Sequence, residues 1–398
     1  HLENPEYIAS IAVATTIIGF FIASMNFLRM GTTGITAQYF GAKDQNGLRV
    51  ILGQTLLIAS LISCLVLLLQ THINKIGLAL IGSNESVAYY ASQYFYIRIW
   101  GIPATLINFS LIGWFIGLQN ATVPLKMVIT TNITNILLSL TFVLIFQMQI
   151  NGIALASVVA EIIGMIIGFI YVWKELQKFQ GKWIYKEIVR LNAYKRFIQI
   201  NINLFLRTIA LIFTFAFITA QGARFGGFIL GANALLMNLQ NLLAYVLDGF
   251  AHAAEALVGK AVGKKDTQLF KSAVHICLKW SVYIALIFAL IYALTGKYMI
   301  SLMTHHQNIR DIAIEYLPWL IISPIVSVWS FLYDGVFVGA TRSRDMRNAM
   351  LGSLFLVFLP SWYFLQPLGN HGLWLAFTLF MLSRGLSMHL LYKRMNLL

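Results

Sequence analysis

Long apolar runs alternate with short polar links along almost the whole chain. The runs far exceed the ~10-residue alternating strands of a membrane barrel, and most reach the ~20 residues that a helix needs to cross a bilayer. Runs that are longer still predict helices that tilt or extend beyond the membrane. The pattern predicts eleven transmembrane helices at residues 7–40, 47–70, 88–118, 122–147, 151–174, 196–222, 228–262, 268–296, 312–341, 344–366 and 370–392.

The links between these runs differ in charge. One alternate set of links holds twenty Lys and Arg residues and the other set holds four, while Arg29, Arg98, Arg207 and Arg384 fall inside runs. Loops rich in Lys and Arg stay on the cytoplasmic side. The pattern therefore predicts a cytoplasmic C-terminus and, with eleven crossings, an N-terminus on the outer side.

The longest polar link, residues 175–195, mixes basic and aromatic side chains at helical spacing. Such a segment is typical of a helix lying at the membrane surface, and an ordinary basic loop is an equal alternative. In both cases the link separates an N-terminal bundle of five helices, residues 1–174, from a C-terminal bundle of six helices, residues 196–398.

Short sequences recur about 222 residues apart. Gly-Ala-Lys-Asp at 41–44 returns as Gly-Lys-Lys-Asp at 263–266, and Gly-Trp-Phe-Ile-Gly at 113–117 returns as Gly-Val-Phe-Val-Gly at 335–339. Six crossings separate a residue from its copy, so the repeat predicts two parallel six-helix bundles, related by an axis along the membrane normal.

The repeat also predicts an incomplete first bundle. At the 222-residue offset, residue 1 corresponds to residue 223, and the second bundle has a whole helix, 196–222, before that position. The counterpart of this helix in the first bundle would therefore precede His1. We therefore expect that the first helix of the first bundle is missing from this chain. We also expect residues 1–398 alone to be inactive or impaired.

The composition agrees with a membrane protein and excludes several other classes. Apolar residues make up 59% of the 398 residues and charged residues 11%, with a mean hydropathy of +0.76. A soluble domain has roughly 45–50% apolar and about 25% charged residues. These values exclude a soluble enzyme, a disordered chain and a nucleic-acid-binding domain, and the net charge of +14 arises from the basic links.

Three stretches carry a resemblance to a known family. They are Phe-Leu-Arg-Met-Gly-Thr-Thr-Gly-Ile-Thr-Ala-Gln at 27–38, Leu-Asp-Gly-Phe-Ala at 247–251, followed by Glu255, and Asp-Gly-Val-Phe-Val-Gly-Ala-Thr-Arg at 334–342. They resemble the multidrug and toxic compound extrusion (MATE) family, most closely its DinF branch, and the similarity covers essentially the whole chain. The resemblance implies a V-shaped pair of six-helix bundles and export of organic, often cationic, compounds in exchange for H⁺ or Na⁺.

The chain departs from this family at two positions that carry charge. The resemblance implies an Asp in the first helix, which this chain lacks, and in several members an Asp one turn after an Asn in the fifth helix. Asn135 is present here, but Ser139 stands at the position of that Asp. The sequence therefore gives no support for a proton site in the first bundle.

Ionisable groups inside a membrane are costly, so each one is a functional hypothesis. Asp248 and Glu255 are seven residues apart, on one face of a helix, and His252 lies on the same stripe. The two carboxylates are candidates for ion coupling, with His252 as a candidate proton relay. The alternative is a buried polar cluster that holds two helices together.

Asp334 is the third candidate for ion coupling. It follows Pro324 by ten residues in the run 312–341, and proline frees a backbone carbonyl that is suited to an ion or a hinge. The alternative is a salt bridge from Asp334 to a nearby arginine such as Arg342.

Other polar residues in the runs favour structural roles. Glu161 is alone on its helix, and we expect it to form a structural ion pair with Arg98 or Arg207. Arg29 and Arg384 are expected to have structural partners or to extend toward an interface.

Small polar and flexible apolar side chains are candidates for the substrate path. Small polar groups suit a wet internal surface, and methionine suits an adaptable binding surface. Alternatively, the polar members only join helices. The candidates are Asn135, Ser139, Ser157, Met30 and Met237.

The absence of enzyme motifs favours a transporter. The sequence contains no Walker A motif, no HExxH, no GxSxG and no Cys or His residues at metal-binding spacing. We therefore expect a secondary active antiporter, not an enzyme, that needs no cofactor or metal beyond H⁺ or Na⁺ as coupling ion. Substrate would bind in a cleft at the membrane midplane between the halves.

Two alternative functions are also compatible with the sequence. A flippase for lipid-linked precursors would line its cavity with several Lys or Arg, whereas carboxylates dominate here, and a membrane-embedded enzyme would need a catalytic constellation. The expected partners are small cationic or amphipathic organic compounds and the lipid bilayer, without nucleic acid. We expect a monomeric, multi-pass protein in a bacterial-type inner membrane.

Overall fold

The computed structural model describes residues 5–82, 84–190 and 194–395. Throughout these ranges the regular structure is helical and contains no strand. The chain separates into two compact units, His1–Phe197 and Ile198–Leu398. The all-helical membrane fold predicted from the apolar runs is therefore confirmed.

Unit 1 contains the first eight helices and the start of the ninth. A 3₁₀ turn, Ile99–Gly101, separates α4 from α5, and a π-helical turn, Thr141–Ile145, follows α6. The helices are α1 (Pro5–Ser24), α2 (Phe27–Gly41), α3 (Gln45–Ile81), α4 (Glu85–Arg98), α5 (Ile102–Gly117), α6 (Thr122–Leu140), α7 (Gln149–Leu176) and α8 (Tyr185–Val189).

Unit 2 contains most of α9 and the remaining six helices. A π-helical turn, Ser353–Phe358, joins α13 to α14, and a 3₁₀ turn, Gln366–Leu368, follows α14. The helices are α9 (Tyr194–Arg224), α10 (Gly227–Gly263), α11 (Thr267–Met303), α12 (Gln307–Gly339), α13 (Ser343–Gly352), α14 (Leu359–Leu365) and α15 (Gly369–Lys393).

Ten stretches of the described chain are long and apolar enough to cross a membrane, and the last of them covers two crossings. It runs from Ser343 to Lys393, 51 residues, which as one helix would measure ~75 Å against a hydrocarbon core of ~30 Å. The chain reverses at Gly369, whose φ is 56°. The rings of Phe358 and Phe380 then pack 5.7 Å apart across the resulting hairpin.

The helix boundaries repeat at the offset found in the sequence. α3 and α11 each contain 37 residues and begin and end 222 residues apart. The segment from the start of α4 to the end of α5, 85–117, has the same relation to α12, 307–339. The two units are therefore built from the same helical pattern.

The turns before α3 and α11 repeat in the same way. Lys43 and Lys265 adopt left-handed backbone conformations, with φ of 58° and 56°. Asp44 and Asp266 then accept a hydrogen bond from a backbone N–H at the third position of the next helix, 2.9 Å in both cases. A carboxylate at this position satisfies a helix N–H that has no partner within the helix.

A close helix crossing also occurs in both units. A Cβ on Gly335 of α12 would collide with the carbonyl oxygen of Ala251 on α10. A Cβ on its counterpart, Gly113 of α5, would collide with the carbonyl oxygen of Arg29 on α2. Only glycine permits these backbones to approach so closely, and the contact holds α12 along α10 and α5 along α2.

The units differ where the sequence predicts one uninterrupted helix over 88–118. The structure has two helices there, α4 and α5, because the 3₁₀ turn Ile99–Gly101 interrupts the run. Pro103 stands in the first turn of α5, where a missing N–H is tolerated. The corresponding α12 is unbroken, although Pro318 and Pro324 lie inside it.

The link between the bundles contains one short helix, α8, in its described part. Arg49 of α3 fixes the start of the link, because its Nη2 donates to the carbonyl oxygens of Leu176 and Phe179 at 2.8 and 2.9 Å. Ile188 of α8 is buried and lies against Gly53. α7 ends at Leu176 and α9 begins at Tyr194, and the described residues between them contain one short helix, α8. Residues 191–193 lie outside the described residues.

Candidate functional site

Three charged side chains meet within unit 2 at Asp334 of α12. Its Oδ2 accepts a hydrogen bond from Arg207 Nη2 and another, at 2.9 Å, from Arg384 Nη2. Asp334 is 6% exposed, Arg207 8% and Arg384 2%. One carboxylate oxygen therefore joins three helices, because Arg207 lies on α9 and Arg384 on α15.

The charges at this site balance when Asp248 is included. Asp248 of α10 acts electrostatically on the Arg384 guanidinium. Two arginines and two carboxylates then sum to zero, which lowers the cost of holding charges within a membrane. The salt bridge considered between Asp334 and Arg342 is not formed, since Arg342 lies 3.7 Å from Asp345 instead.

The helix that carries the other two predicted carboxylates, α10, crosses α12. Glu255 is 2% exposed, and its carbonyl oxygen faces Gly339 of α12. Asp248 and His252 are partly buried on the same helix. The structure therefore places all four predicted groups of unit 2 on the two helices that cross at Gly335 and Gly339.

A hydrogen-bonded pair that the sequence did not reveal lies beside Asp334. Tyr333, 1% exposed, has its hydroxyl 2.5 Å from His389 Nδ1 on α15. No sequence spacing indicates this pair, because Tyr333 and His389 are 56 residues apart and meet only through the packing of α12 against α15.

Unit 1 contains a separate charged pair. Arg98 Nη2, at the end of α4, is 3.6 Å from Glu161 Oε1 on α7. Asn108 of α5 donates its Nδ2 to both the carbonyl oxygen and the Oε2 of Glu161, at 3.1 Å each. Of the two partners considered for Glu161, Arg98 lies beside it, whereas Arg207 pairs with Asp334.

Two of the candidates for the substrate path are hydrogen-bonded to each other. Asn135 Nδ2 donates to Ser157 Oγ at 2.8 Å, which joins α6 to α7, and Ser139 lies one turn further along α6, partly buried. Met30 is 5% exposed, and Met237 is partly buried against the core of unit 2. Within the described residues, no group of three His, Cys, Asp or Glu side chains is placed to hold a metal ion.

The fold and these ion pairs define the class of protein: a polytopic helical membrane protein built from a repeated unit, with paired charges inside each unit. Comparisons with known proteins then give the family. The sequence model of the MatE family matches residues 1–141 and 204–364. The chain belongs to the MatE family, that of the MATE multidrug efflux transporters.

Relatives and solved structures agree with this assignment. The chain is 39% identical to DNA damage-inducible protein F of Escherichia coli (strain K12), over 99% of this chain and 86% of that protein. It is 23% identical to human multidrug and toxin extrusion protein 1, over 94% of this chain and 66% of that protein. An outward-facing multidrug resistance MATE transporter superposes with a TM-score of 0.89 at 16% identity, over 98% of this chain and 88% of that one.

Proposed function

We propose that the protein exports small organic compounds by secondary active antiport, with Asp248, Glu255 and Asp334 as the carboxylates that couple export to H⁺ or Na⁺. The observation that carries this proposal is the gathering of all three on the crossing helices α10 and α12 of a MATE-family chain. At the repeat offset, unit 1 has uncharged residues instead, namely Asn26, Thr33 and Ile112.

This asymmetry supports a role beyond folding. Both units form the same glycine crossing, so the crossing itself needs no carboxylates. Each embedded carboxylate costs about 2.5–3.5 kcal/mol on insertion scales, which favours a functional reason for keeping three in one unit.

The Asp334 pairs suggest how ion loading acts on the helices. A proton or Na⁺ taken up by Asp334 weakens its attraction for Arg207 and Arg384, and so loosens the ties from α12 to α9 and α15. Export is coupled only if ion binding and substrate binding disfavour each other. We infer that His252, on the face of α10 that also carries Asp248 and Glu255, relays protons between them.

The arginines argue against a flippase for anionic precursors. Arg207 and Arg384 are both engaged by Asp334, and Arg98 lies beside Glu161. Their charge is therefore largely neutralised within the protein and is not directed toward an anionic head group.

The remaining assignments follow from this function. We expect small cationic or amphipathic substrates that pass Asn135, Ser139, Ser157, Met30 and Met237. We also expect a monomer without cofactor or enzymatic activity, located in a bacterial-type inner membrane with its C-terminus in the cytoplasm.

A vesicle assay tests the proposal. The full-length protein is reconstituted into liposomes with the fluorescent cation ethidium, and pH and Na⁺ gradients are imposed separately. Ethidium accumulation against its own gradient, abolished by an ionophore that collapses the driving gradient, is expected for one of the two ions. Equilibration without any gradient, or movement of a fluorescent lipid phosphate but not of ethidium, would overturn the proposal.

A further inference from the structure

Two lysines from different helices converge on one tyrosine in unit 1. Lys126 is the fifth residue of α6, and Lys174 lies in the last turn of α7. Their Nζ atoms are 5.3 and 5.7 Å from the centre of the Tyr171 ring, within the ~6 Å of a cation–π contact. The two positive charges are therefore at most 11 Å apart, which is the sum of these two distances.

No carboxylate neutralises these two charges in the part of the chain that the structure describes. Neither lysine forms a salt bridge there, and Glu175, which follows Lys174 in the sequence, pairs instead with Lys178 at 2.8 Å. Like charges repel each other more strongly near a low-dielectric medium than in bulk water. The arrangement therefore favours an anion that comes from outside the protein.

Tyr171 adds a hydrogen-bond donor to the two cations. Its hydroxyl oxygen accepts a hydrogen bond from Lys126 Nζ at 3.4 Å, which leaves the hydroxyl proton available for another acceptor. Two ammonium groups and a phenol hydroxyl suit a phosphate group, because its oxygens accept several hydrogen bonds and carry the opposite charge.

The two helices expose apolar side chains on the faces that carry the lysines. α6 has three buried residues, all within its first two turns. Four isoleucines lie at helical spacing from the lysines, toward the middle of each helix, and all are about half exposed: Ile129 and Ile133 of α6, and Ile166 and Ile170 of α7. The site thus combines positive charge at the helix ends with an apolar surface further along the same helices.

Trp173 indicates that this site lies where the membrane meets water. Its side chain is 67% exposed, and exposed tryptophan and tyrosine are enriched at membrane–water interfaces. Lys126 and Lys174 belong to the basic set of links, which predicts the cytoplasmic side, where the leaflet carries anionic lipids. Basic pockets between transmembrane helices on that side bind anionic head groups.

Unit 2 contains a contact with one lysine that serves as a comparison. Lys279 Nζ is 5.9 Å from the centre of the Tyr283 ring, and Trp280 beside it is 56% exposed. A single helix, α11, supplies both the lysine and the tyrosine there. In unit 1 the lysines come from two helices, so an anion bound to both would join α6 to α7.

We propose that Lys126, Lys174 and Tyr171 bind the phosphate head group of an anionic phospholipid, whose acyl chains lie along the exposed isoleucines of α6 and α7. The lipid neutralises the two lysines and joins the start of α6 to the end of α7. A ligand that binds only the folded protein adds to its stability, so this lipid stabilises unit 1. The site is independent of the proposed antiport, since it contains none of the carboxylates assigned to ion coupling.

Fluorescence quenching of Trp173 tests the site. The full-length protein is reconstituted into phosphatidylcholine vesicles with a rising fraction of phosphatidylglycerol that is brominated near the head-group end of its acyl chains. Brominated phosphatidylcholine is the reference lipid, and the same measurement on Trp173→Phe isolates the contribution of Trp173. We expect brominated phosphatidylglycerol to quench Trp173 at a several-fold lower fraction than brominated phosphatidylcholine does.

Removal of the lysines should remove this preference. A lysine near an anionic membrane surface is worth roughly a fivefold change in binding. We therefore expect Lys126→Gln and Lys174→Gln each to weaken the preference for phosphatidylglycerol by up to about fivefold, and the double variant to show hardly any preference. Lys126→Arg/Lys174→Arg keeps both charges and should retain it.

Lys279→Gln is the matched control, because it removes one lysine beside a tyrosine and leaves α6 and α7 unchanged. Its Trp173 fluorescence should be quenched as in the wild type. Size-exclusion chromatography confirms the folded state of each variant, and if the double glutamine variant does not fold, the two single variants take its place.

Four results contradict the proposal. They are equal quenching of the wild type by the two brominated lipids, an unchanged preference without the lysines, an equal loss of preference in Lys279→Gln, and relief of the quenching by millimolar inorganic phosphate, which would assign the lysines to a free anion. None of them bears on whether ethidium export is driven by an ion gradient, so this proposal and the antiport proposal fail separately.

Discussion

Asp334 shows how a buried charge is tolerated when its partners come from elsewhere in the chain. Asp334 was identified from sequence as an embedded carboxylate, but its partners were not, because Arg207 and Arg384 are 127 and 50 residues away. Arg342, the nearer candidate in sequence, pairs with Asp345. Sequence distance is thus a poor guide to pairing when helices from three parts of the chain meet.

The stability of the cluster that Asp334 forms with Arg207 and Arg384 is a direct test of this pairing. Asp334→Asn leaves two buried arginines with too little negative charge, and breaking a buried pair in this way costs about 3–5 kcal/mol. We expect a large drop in the thermal unfolding temperature in detergent. The double variant Asp334→Asn/Arg207→Met restores the charge balance and should recover most of that loss.

Glu175→Gln is the matched control for this comparison, because Glu175 pairs at 2.8 Å with Lys178, whose side chain is 65% exposed. It should leave the unfolding temperature nearly unchanged. A double variant as unstable as Asp334→Asn alone would show that charge balance is not what the cluster provides.

At the scale of helices, the apolar runs predicted nearly every helix, but they did not predict where a helix is interrupted. At the break Ile99–Gly101, Gly101 lies against Val158 of α7, a contact that the run of apolar residues does not encode. The reversal at Gly369 lies between two runs and was anticipated. The link 175–195 was ambiguous from sequence because a basic aromatic segment suits both a surface helix and a loop.

The glycine crossings predict a specific sensitivity. Gly335→Val and Gly113→Val each push a side chain against a backbone carbonyl that cannot rotate away. Overpacking typically costs about 1–3 kcal/mol, and a fixed backbone neighbour favours the upper end of that range. We expect lower unfolding temperatures and poor yield of folded protein for both variants.

Gly352→Ala provides the comparison, since a Cβ there meets nothing within 4 Å. This variant, at the last residue of α13, should be neutral or slightly stabilising. Wild-type stability in Gly335→Val would contradict the close approach of α12 to α10.

The repeated helix caps predict equal effects in the two units. Asp44→Ala and Asp266→Ala each remove a carboxylate that accepts from a backbone N–H at 2.9 Å, with an expected cost of about 0.5–2 kcal/mol. Faster amide exchange in the first turn of α3 and of α11, respectively, should report the loss. A response in only one of the two helices would show that the caps are not equivalent.

At the scale of the whole molecule, the repeat and the basic links predict topology. The repeat is visible both in sequence motifs and in helix boundaries, so the fold class could be predicted with little knowledge of tertiary contacts. The site could not be predicted without knowledge of the tertiary packing, since residues far apart in sequence meet only where α10 packs against α12 and α12 against α15.

Cysteine labelling tests the predicted topology. In a variant with Cys64 and Cys277 replaced by Ser, single cysteines are introduced at Lys43, Lys265 and His305. The positive-inside pattern predicts that an impermeant maleimide labels position 305 in intact cells, and positions 43 and 265 only after permeabilisation. Labelling of 43 and 265 from opposite sides would contradict a parallel repeat.

The central claim is that the carboxylates of unit 2 couple export to an ion gradient, and ethidium export by the charge-balanced variant tests it most directly. Asp334→Asn/Arg207→Met is reconstituted beside the wild type, with equal amounts of folded protein confirmed by size-exclusion chromatography. We predict that the double variant binds ethidium but no longer accumulates it in response to a pH or Na⁺ gradient. Gradient-driven export at the wild-type rate would show that Asp334 is a structural residue and would contradict the proposed coupling.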